Sequence, residues 1–108
     1  MAHVFSEANF QAEVLSSATP VAVDFWALWC PPCRITGPIL DELSGEIDES
    51  KLKIGKVNVD ENQHLSTEYR VLSIPTVIIF KNGQEVERMV GAMTKEDFIA
   101  KFQTYTLA

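Results

Sequence analysis

Two cysteines are all that the 108 residues contain, and histidine is as scarce, with two. A structural zinc site takes four ligands, usually from two Cys-x-x-Cys pairs or one such pair and closely spaced histidines. Beyond Cys30 and Cys33 the only candidates are His3 and His64, far apart in the chain and without ligand-like spacing, so no metal is expected. No apolar run reaches the roughly 20 residues that span a bilayer. Basic residues are outnumbered, nine Lys and Arg against fifteen Asp and Glu, for a net charge of −6. That balance argues against nucleic acid and anionic membranes as partners. No internal repeat, linker or low-complexity segment divides the chain, and its length suits one domain, residues 1–108, around a single core. The first residues, Met1-Ala2-His3-Val4-Phe5-Ser6-Glu7, have neither a basic head nor a long apolar stretch, so no signal peptide is expected. The expectation is a soluble cytoplasmic protein in a reducing compartment, where a surviving cysteine pair is more often catalytic than structural.

What is present is concentrated in residues 29 to 33, Trp29-Cys30-Pro31-Pro32-Cys33. Cysteines three positions apart, where a helix begins, can close a small disulfide and reopen it without moving the backbone far. As a purely structural link such a pair does little, because so short a loop removes little entropy from the unfolded chain. The apolar run Val21-Ala22-Val23-Asp24-Phe25-Trp26 before it reads as a buried strand, and a long amphipathic stretch follows it. A Cys-x-x-Cys at a strand-to-helix junction is the signature of thiol–disulfide exchange.

The rest of the chain alternates strand and helix patterns. Ser6 is placed to cap a first helix from about Glu7 to Ser16, with Phe10 and Val14 on one face. Pro20 opens the strand that ends at Trp26. The helix after the cysteines carries Ile35, Ile39, Leu43 and Ile47 spaced by four, with Leu40 beside them; Pro38 inside it is expected to kink it. Ile54 to Val59 alternates as a strand does, and Asn62 to Tyr69 suits a short helix. Val77–Phe80 and Glu85–Val90 flank Asn82-Gly83, the strongest short-range hairpin signal. Thr94 caps a last helix whose Phe98, Ile99 and Phe102 face inward. The order β-α-β-α-β-α-β-β-α, with two crossover units and a terminal hairpin, predicts an α/β fold: a mixed sheet with helices on both faces.

Segments across nearly the whole chain resemble the thioredoxin family. They are Val23-Asp24-Phe25-Trp26-Ala27, Trp29-Cys30-Pro31-Pro32-Cys33, Gly37-Pro38, Lys56-Val57-Asn58-Val59-Asp60, Ile74-Pro75-Thr76, Phe80-Lys81-Asn82-Gly83 and Val90-Gly91-Ala92, in that order. The resemblance implies a thioredoxin-like fold, a five-stranded mixed sheet flanked by four helices. One departure lies at its centre: the family usually carries Gly-Pro between the cysteines, and this chain has Pro31-Pro32.

The chemistry then divides between the cysteines. Cys30, at or beside the helix N-terminus, is expected to be the attacking thiol, because unpaired N–H groups and the helix dipole favour a thiolate there. Cys33, one turn inside the helix, is expected to be more buried and to resolve the mixed disulfide. Asp24 interrupts a strand that should be buried on both faces. It is either a solvated edge carboxylate or a buried one whose pKa is raised by desolvation. The resemblance favours the second and sets the carboxyl beneath Cys33, where it handles that cysteine's proton; it also makes Lys56 the lysine near that carboxyl. The resemblance further implies a cis peptide before Pro75, facing the cysteines and leaving the Ile74 backbone free to pair with an extended substrate. Trp29, Pro31, Pro32, Val59, Ile74, Gly91 and Ala92 are expected to complete a shallow apolar substrate groove, with Trp26 as packing.

The function that follows is a protein-disulfide reductase working through a reversible Cys30–Cys33 dithiol. By resemblance it is a monomer that carries no cofactor and is itself reduced by a flavin- and NADPH-dependent thioredoxin reductase. Two alternatives stand beside it. One is a thioredoxin-like oxidase or isomerase, suggested by the Cys-Pro-x-Cys pattern that Pro31 creates. The other is a non-catalytic binding module using the same groove.

Overall fold

The computed structural model describes residues 2–107. Five strands form one mixed sheet: β1 (His3–Val4), β2 (Val21–Trp26), β3 (Lys53–Asn58), β4 (Thr76–Lys81) and β5 (Gln84–Val90). They lie side by side in the order β1-β3-β2-β4-β5. The pairs β1·β3 and β2·β3 are parallel, while β2·β4 and β4·β5 are antiparallel. Three α-helices, α1 (Cys33–Glu46), α2 (Gln63–Glu68) and α3 (Lys95–Tyr105), and a short π-helical segment, Gln11–Leu15, cover it. This is the α/β fold of five strands and four helices expected above.

The side chains of successive strand residues leave opposite faces of a sheet, and here each parity has its own core. Val21, Val23 and Phe25 of β2 join Ile78 and Phe80 of β4 against Phe10, Val14 and Leu65, under the π-helical segment and α2. Ala22 of β2 joins Val77 and Ile79 against Leu40, Leu43, Phe98 and Phe102, under α1 and α3. The sheet is therefore sealed on both sides, and its central strand β2 has no wet face. Asp24 sits on that strand.

The local signals resolve as follows. Asn82 and Gly83 both adopt positive φ, 54° and 77°, which is what a two-residue turn between Lys81 and Gln84 requires. The Thr94 hydroxyl accepts the Asp97 N–H at 3.1 Å and caps α3. The first helix departs from expectation. Ser6 offers no side-chain cap; its own N–H donates to Asn9 Oδ1, and residues 7–9 turn. The segment then widens until Ser16 N–H reaches Gln11 O, an i→i+5 bond, though Phe10 and Val14 still point inward. In α1 the four-residue spacing misleads. Four residues turn a helix by about 400°, so the isoleucine series drifts by roughly 120° from Ile35 to Ile47. The face that is buried is Cys33, Thr36, Gly37, Leu40 and Leu43, and Ile35 is 62% exposed.

Candidate functional site

Strand β2 ends at Trp26, and a short turn brings the chain to Cys30 just ahead of α1. Cys30 and Cys33 form a disulfide with their Cα atoms 5.3 Å apart. The two are not distinguished by burial, at 2% and 5% exposed, so Cys33 is not the more buried of the pair in this closed form. Their surroundings distinguish them instead. The Cys33 N–H, in the first turn of α1, points at Cys30 Sγ at 3.3 Å. Pro31 and Pro32 have no N–H, so Cys33 supplies the first backbone donor after Cys30. Cys33, and not Cys30, lines a cavity of about 330 Å³ beneath the motif.

Asp24 lines the same cavity and is 1% exposed, which removes the solvated edge alternative. β2 is an interior strand, paired with β3 on one side and β4 on the other. Among the described residues neither oxygen of the Asp24 carboxyl has a hydrogen-bond partner. Burial therefore dominates, and although Lys56 pulls the other way, it pushes the Asp24 pKa up to about 7. Lys56 is opposite Asp24 in the parallel β2·β3 register and lines the cavity too. It does not pair with Asp24. Its Nζ donates to Asp41 Oδ2 of α1 at 3.0 Å. The Asp41 carboxyl is partly buried, which would raise its pKa, but hydrogen bonds from Lys56 and the Ala2 N–H hold it below the ordinary carboxylate value.

Above the disulfide, Val59 and Ile74 pack against Ala27, Cys30 and Cys33, as does Trp26, in line with its expected packing role. The Ile74–Pro75 bond is cis. Among the described residues, neither the N–H nor the C=O of Ile74 has a backbone partner. Trp29 is 63% exposed, and its indole N–H donates to Asp60 Oδ2 at 2.9 Å. Trp29, Val59, Asp60 and the 71–74 segment line a second open cavity of about 510 Å³. Pro31 and Pro32 are exposed at the rim of the motif. Gly91 and Ala92 do not line that cavity. Gly91 sits instead beside the cis-proline, donating its N–H to Pro75 O at 2.8 Å with φ 93°, a conformation that suits glycine.

The structure thus brings Cys33, Asp24 and Lys56 to one cavity, and Trp29, Val59 and Ile74 to a groove. Sequence reasoning missed Asp41 and Asp60. Asp60 had a weak signal, two positions past the end of β3 and next to the expected groove residue Val59. Asp41 had its position four residues after Gly37, on one helix face, but only the packing of α1 on β3 shows that this face meets Lys56.

Among the described residues no helix is long and apolar enough to cross a membrane. A family model described as Thioredoxin matches residues 1–104. The chain is 46% identical over 100 residues to a thioredoxin of Synechocystis sp., covering 93% of this chain and 92% of that protein. It is 49% identical over 90 residues to thioredoxin 1 of Nostoc sp., 83% of each chain. With the chloroplastic M-type thioredoxin of Chlamydomonas reinhardtii it shares 44% identity over 97 residues, 90% of this chain and 69% of that protein. A disulfide one helical turn long, set at a helix N-terminus in this fold, and similarity of this extent lead to one conclusion: the chain belongs to the thioredoxin family and is a thiol–disulfide oxidoreductase.

Proposed function

We propose that the protein acts as a disulfide reductase with a fixed division of labour between its cysteines. The Cys30 thiolate attacks one sulfur of a target disulfide. The target's S–S bond breaks, a Cys30–target mixed disulfide forms, and the target's other sulfur leaves as a thiolate that takes up a proton. Cys33 then loses its proton, attacks Cys30 Sγ and expels the second target thiol. Two electrons pass from the dithiol to the target, and the Cys30–Cys33 disulfide is left behind. The observation that carries this assignment is the asymmetry around the pair. The positive end of α1 and the Cys33 N–H serve Cys30 Sγ, whereas the Asp24 cavity serves Cys33. Asp24, poised near neutrality, is the acceptor for the Cys33 proton. Lys56 tempers the cost of the resulting carboxylate.

The target is a protein disulfide presented in extended form. Its backbone pairs with the free N–H and C=O of Ile74, and its side chains rest on Trp29, Val59 and the exposed prolines. Gly91 supports this edge through Pro75, and Ala92 follows it as a small residue that leaves the groove shallow. A flavin- and NADPH-dependent thioredoxin reductase regenerates the dithiol, and no cofactor is held by the chain. Residues 1–108 act as one domain and as a monomer, in the reducing cytoplasm, where such a dithiol carries electrons and maintains redox homeostasis. The test is reduction of insulin disulfides coupled to NADPH and thioredoxin reductase. Turnover that vanishes in the Cys30→Ser, Cys33→Ser double variant supports the reductase. Turnover that is absent in the unsubstituted protein overturns it.

A further inference from the structure

We propose that Asp41 is a positioning residue: it holds the Lys56 ammonium off the buried Asp24 carboxyl, leaving that carboxyl free to take a proton from Cys33. The last step rests on the reading of Asp24 given above; the hold on Lys56 does not.

The register of the sheet poses the problem that Asp41 solves. Asp24 and Lys56 are directly paired on adjacent parallel strands, so their side chains leave the same face and enter the same cavity. A buried carboxylate beside a lysine of that reach would ordinarily form an ion pair, and a paired carboxylate makes a poor proton acceptor near neutrality. Here the ammonium is committed elsewhere. Lys56 Nζ donates to Asp41 Oδ2 at 3.0 Å, while both Asp24 oxygens lack a partner among the described residues.

Asp41 is itself held from a second side. Its Oδ1 accepts the Ala2 N–H at 3.1 Å, immediately ahead of β1, which pairs with β3 next to Lys56. The carboxylate is thereby fixed between α1 and the edge of the sheet. Gly37, one turn earlier on α1, lies beside the same ammonium: a Cβ there would be in ordinary van der Waals contact with Lys56 Nζ, at 3.4 Å. The other cation lining the cavity, Arg34, does not substitute for Lys56, because its guanidinium donates to Leu28 O at 3.1 Å. From β4 the residue opposite Asp24 is Val77, which carries no charge. Among the described residues, the titratable groups that line the cavity are Asp24, Cys33, Arg34, Asp41 and Lys56. The direction of the electrostatics agrees: after burial, Lys56 lowers and Asp41 raises the pKa of Asp24.

The test is a double-mutant cycle. The Asp24 carboxyl is titrated by carbon NMR in the disulfide form, so that no thiol titrates, in the unsubstituted protein, Asp41→Asn, Lys56→Met and the double variant. Release of Lys56 in Asp41→Asn is expected to strengthen Asp24 as an acid by about tenfold, one pH unit in its midpoint. In the Lys56→Met background the same Asp41 substitution is expected to move the midpoint by less than a third of that. Asp41→Glu, which keeps the charge and the acceptor, is expected to restore most of the original midpoint. An unmoved midpoint in Asp41→Asn overturns the proposal. So does a shift of equal size with and without Lys56, because Asp41 would then act through its own charge alone. Turnover against pH is read on the same proteins: a profile that ignores the Asp24 midpoint in every variant removes Asp24 from the reaction, while the titration independently decides the hold on Lys56.

Discussion

Replacing Asp24 by Asn exposes the cost of the buried carboxyl directly. The folded protein holds the Asp24 proton to about pH 7, whereas the unfolded chain releases it near 3.8. The folded pKa is raised, so ionisation penalises the folded state. The penalty is absent below the unfolded value, grows between about pH 4 and pH 7, and is complete above that. Each unit of difference corresponds to about 1.4 kcal/mol, so the rise from 3.8 to about 7 amounts to roughly 4 kcal/mol at pH 8. At 1% exposure there is no solvent screening to discount. Asp24→Asn removes this term and introduces another, since an amide in the same unpartnered position leaves its own donors unsatisfied, at about 1–3 kcal/mol. That second term does not depend on pH. The difference between variant and parent is therefore the cleaner quantity. It is expected to grow by about 4 kcal/mol in favour of the variant between pH 4 and pH 8. Carboxylates with lowered values, such as Asp41 and Glu85, make the opposite contribution to the pH dependence of each protein, and they cancel to first order in the comparison. Urea unfolding of both disulfide forms across that range measures it. A difference that stays constant with pH would refute the reasoning, because the carboxyl would then titrate alike in the folded and unfolded chains. The same variant should reduce disulfides more slowly, with the loss falling on resolution of the mixed disulfide rather than on its formation.

Further outcomes test other parts of the structure. Cys33→Ser is expected to accumulate target proteins as mixed disulfides on Cys30 and Cys30→Ser to accumulate none, read by mass spectrometry after acid quenching; the reverse pattern would exchange the two roles. Thr94→Ala removes the hydroxyl that accepts the Asp97 N–H and should cost about 1 kcal/mol in urea unfolding, with Thr94→Ser recovering most of it. Gly55→Ala should be far more costly, about 1–3 kcal/mol or beyond, because the new Cβ would come within 2.7 Å of three atoms of the Phe5 ring, itself 1% exposed. Equal stability of that variant would mean that β1 is not pressed onto β3 as described.

Features governed by local chemistry are legible in the amino-acid order alone. Asn82-Gly83 demands positive φ wherever it turns a hairpin, and Thr94 three residues before Asp97 is a cap in any helix of that phase. The burial of Val21 to Phe25 follows from a strand that is apolar at every position but Asp24, whereas the burial of Asp24 itself needs the interior place of β2 between β3 and β4. Other features depend on partners distant in sequence. Strand β1 is two residues long and exists because β3 offers it an edge. A widened turn at Gln11–Leu15 stands where a regular helix is expected, and Asn9, not Ser6, supplies the side-chain oxygen ahead of it. Ile35 fits a four-residue repeat, but the drift of the helix carries it out of the core on the turn that bears Cys33.

The proton-handling side of the site shows where sequence reasoning ends. Asp24 and Lys56 can each be singled out from pattern and resemblance, and parallel pairing of their strands predicts that they meet. The expected consequence of meeting is an ion pair, and an ion pair would have made Asp24 an ordinary carboxylate. What prevents it is a third residue, Asp41 on α1, fixed by a backbone N–H ahead of β1. None of these contributions is visible in the spacing of the others, since they come from four separate stretches of chain. The raised affinity of Asp24 for its proton thus comes first from burial on β2, and the packing of α1 against the β1–β3 edge preserves it by keeping Lys56 engaged with Asp41. Loosening that edge should shift the site's acid–base behaviour even where no residue of the cavity is touched.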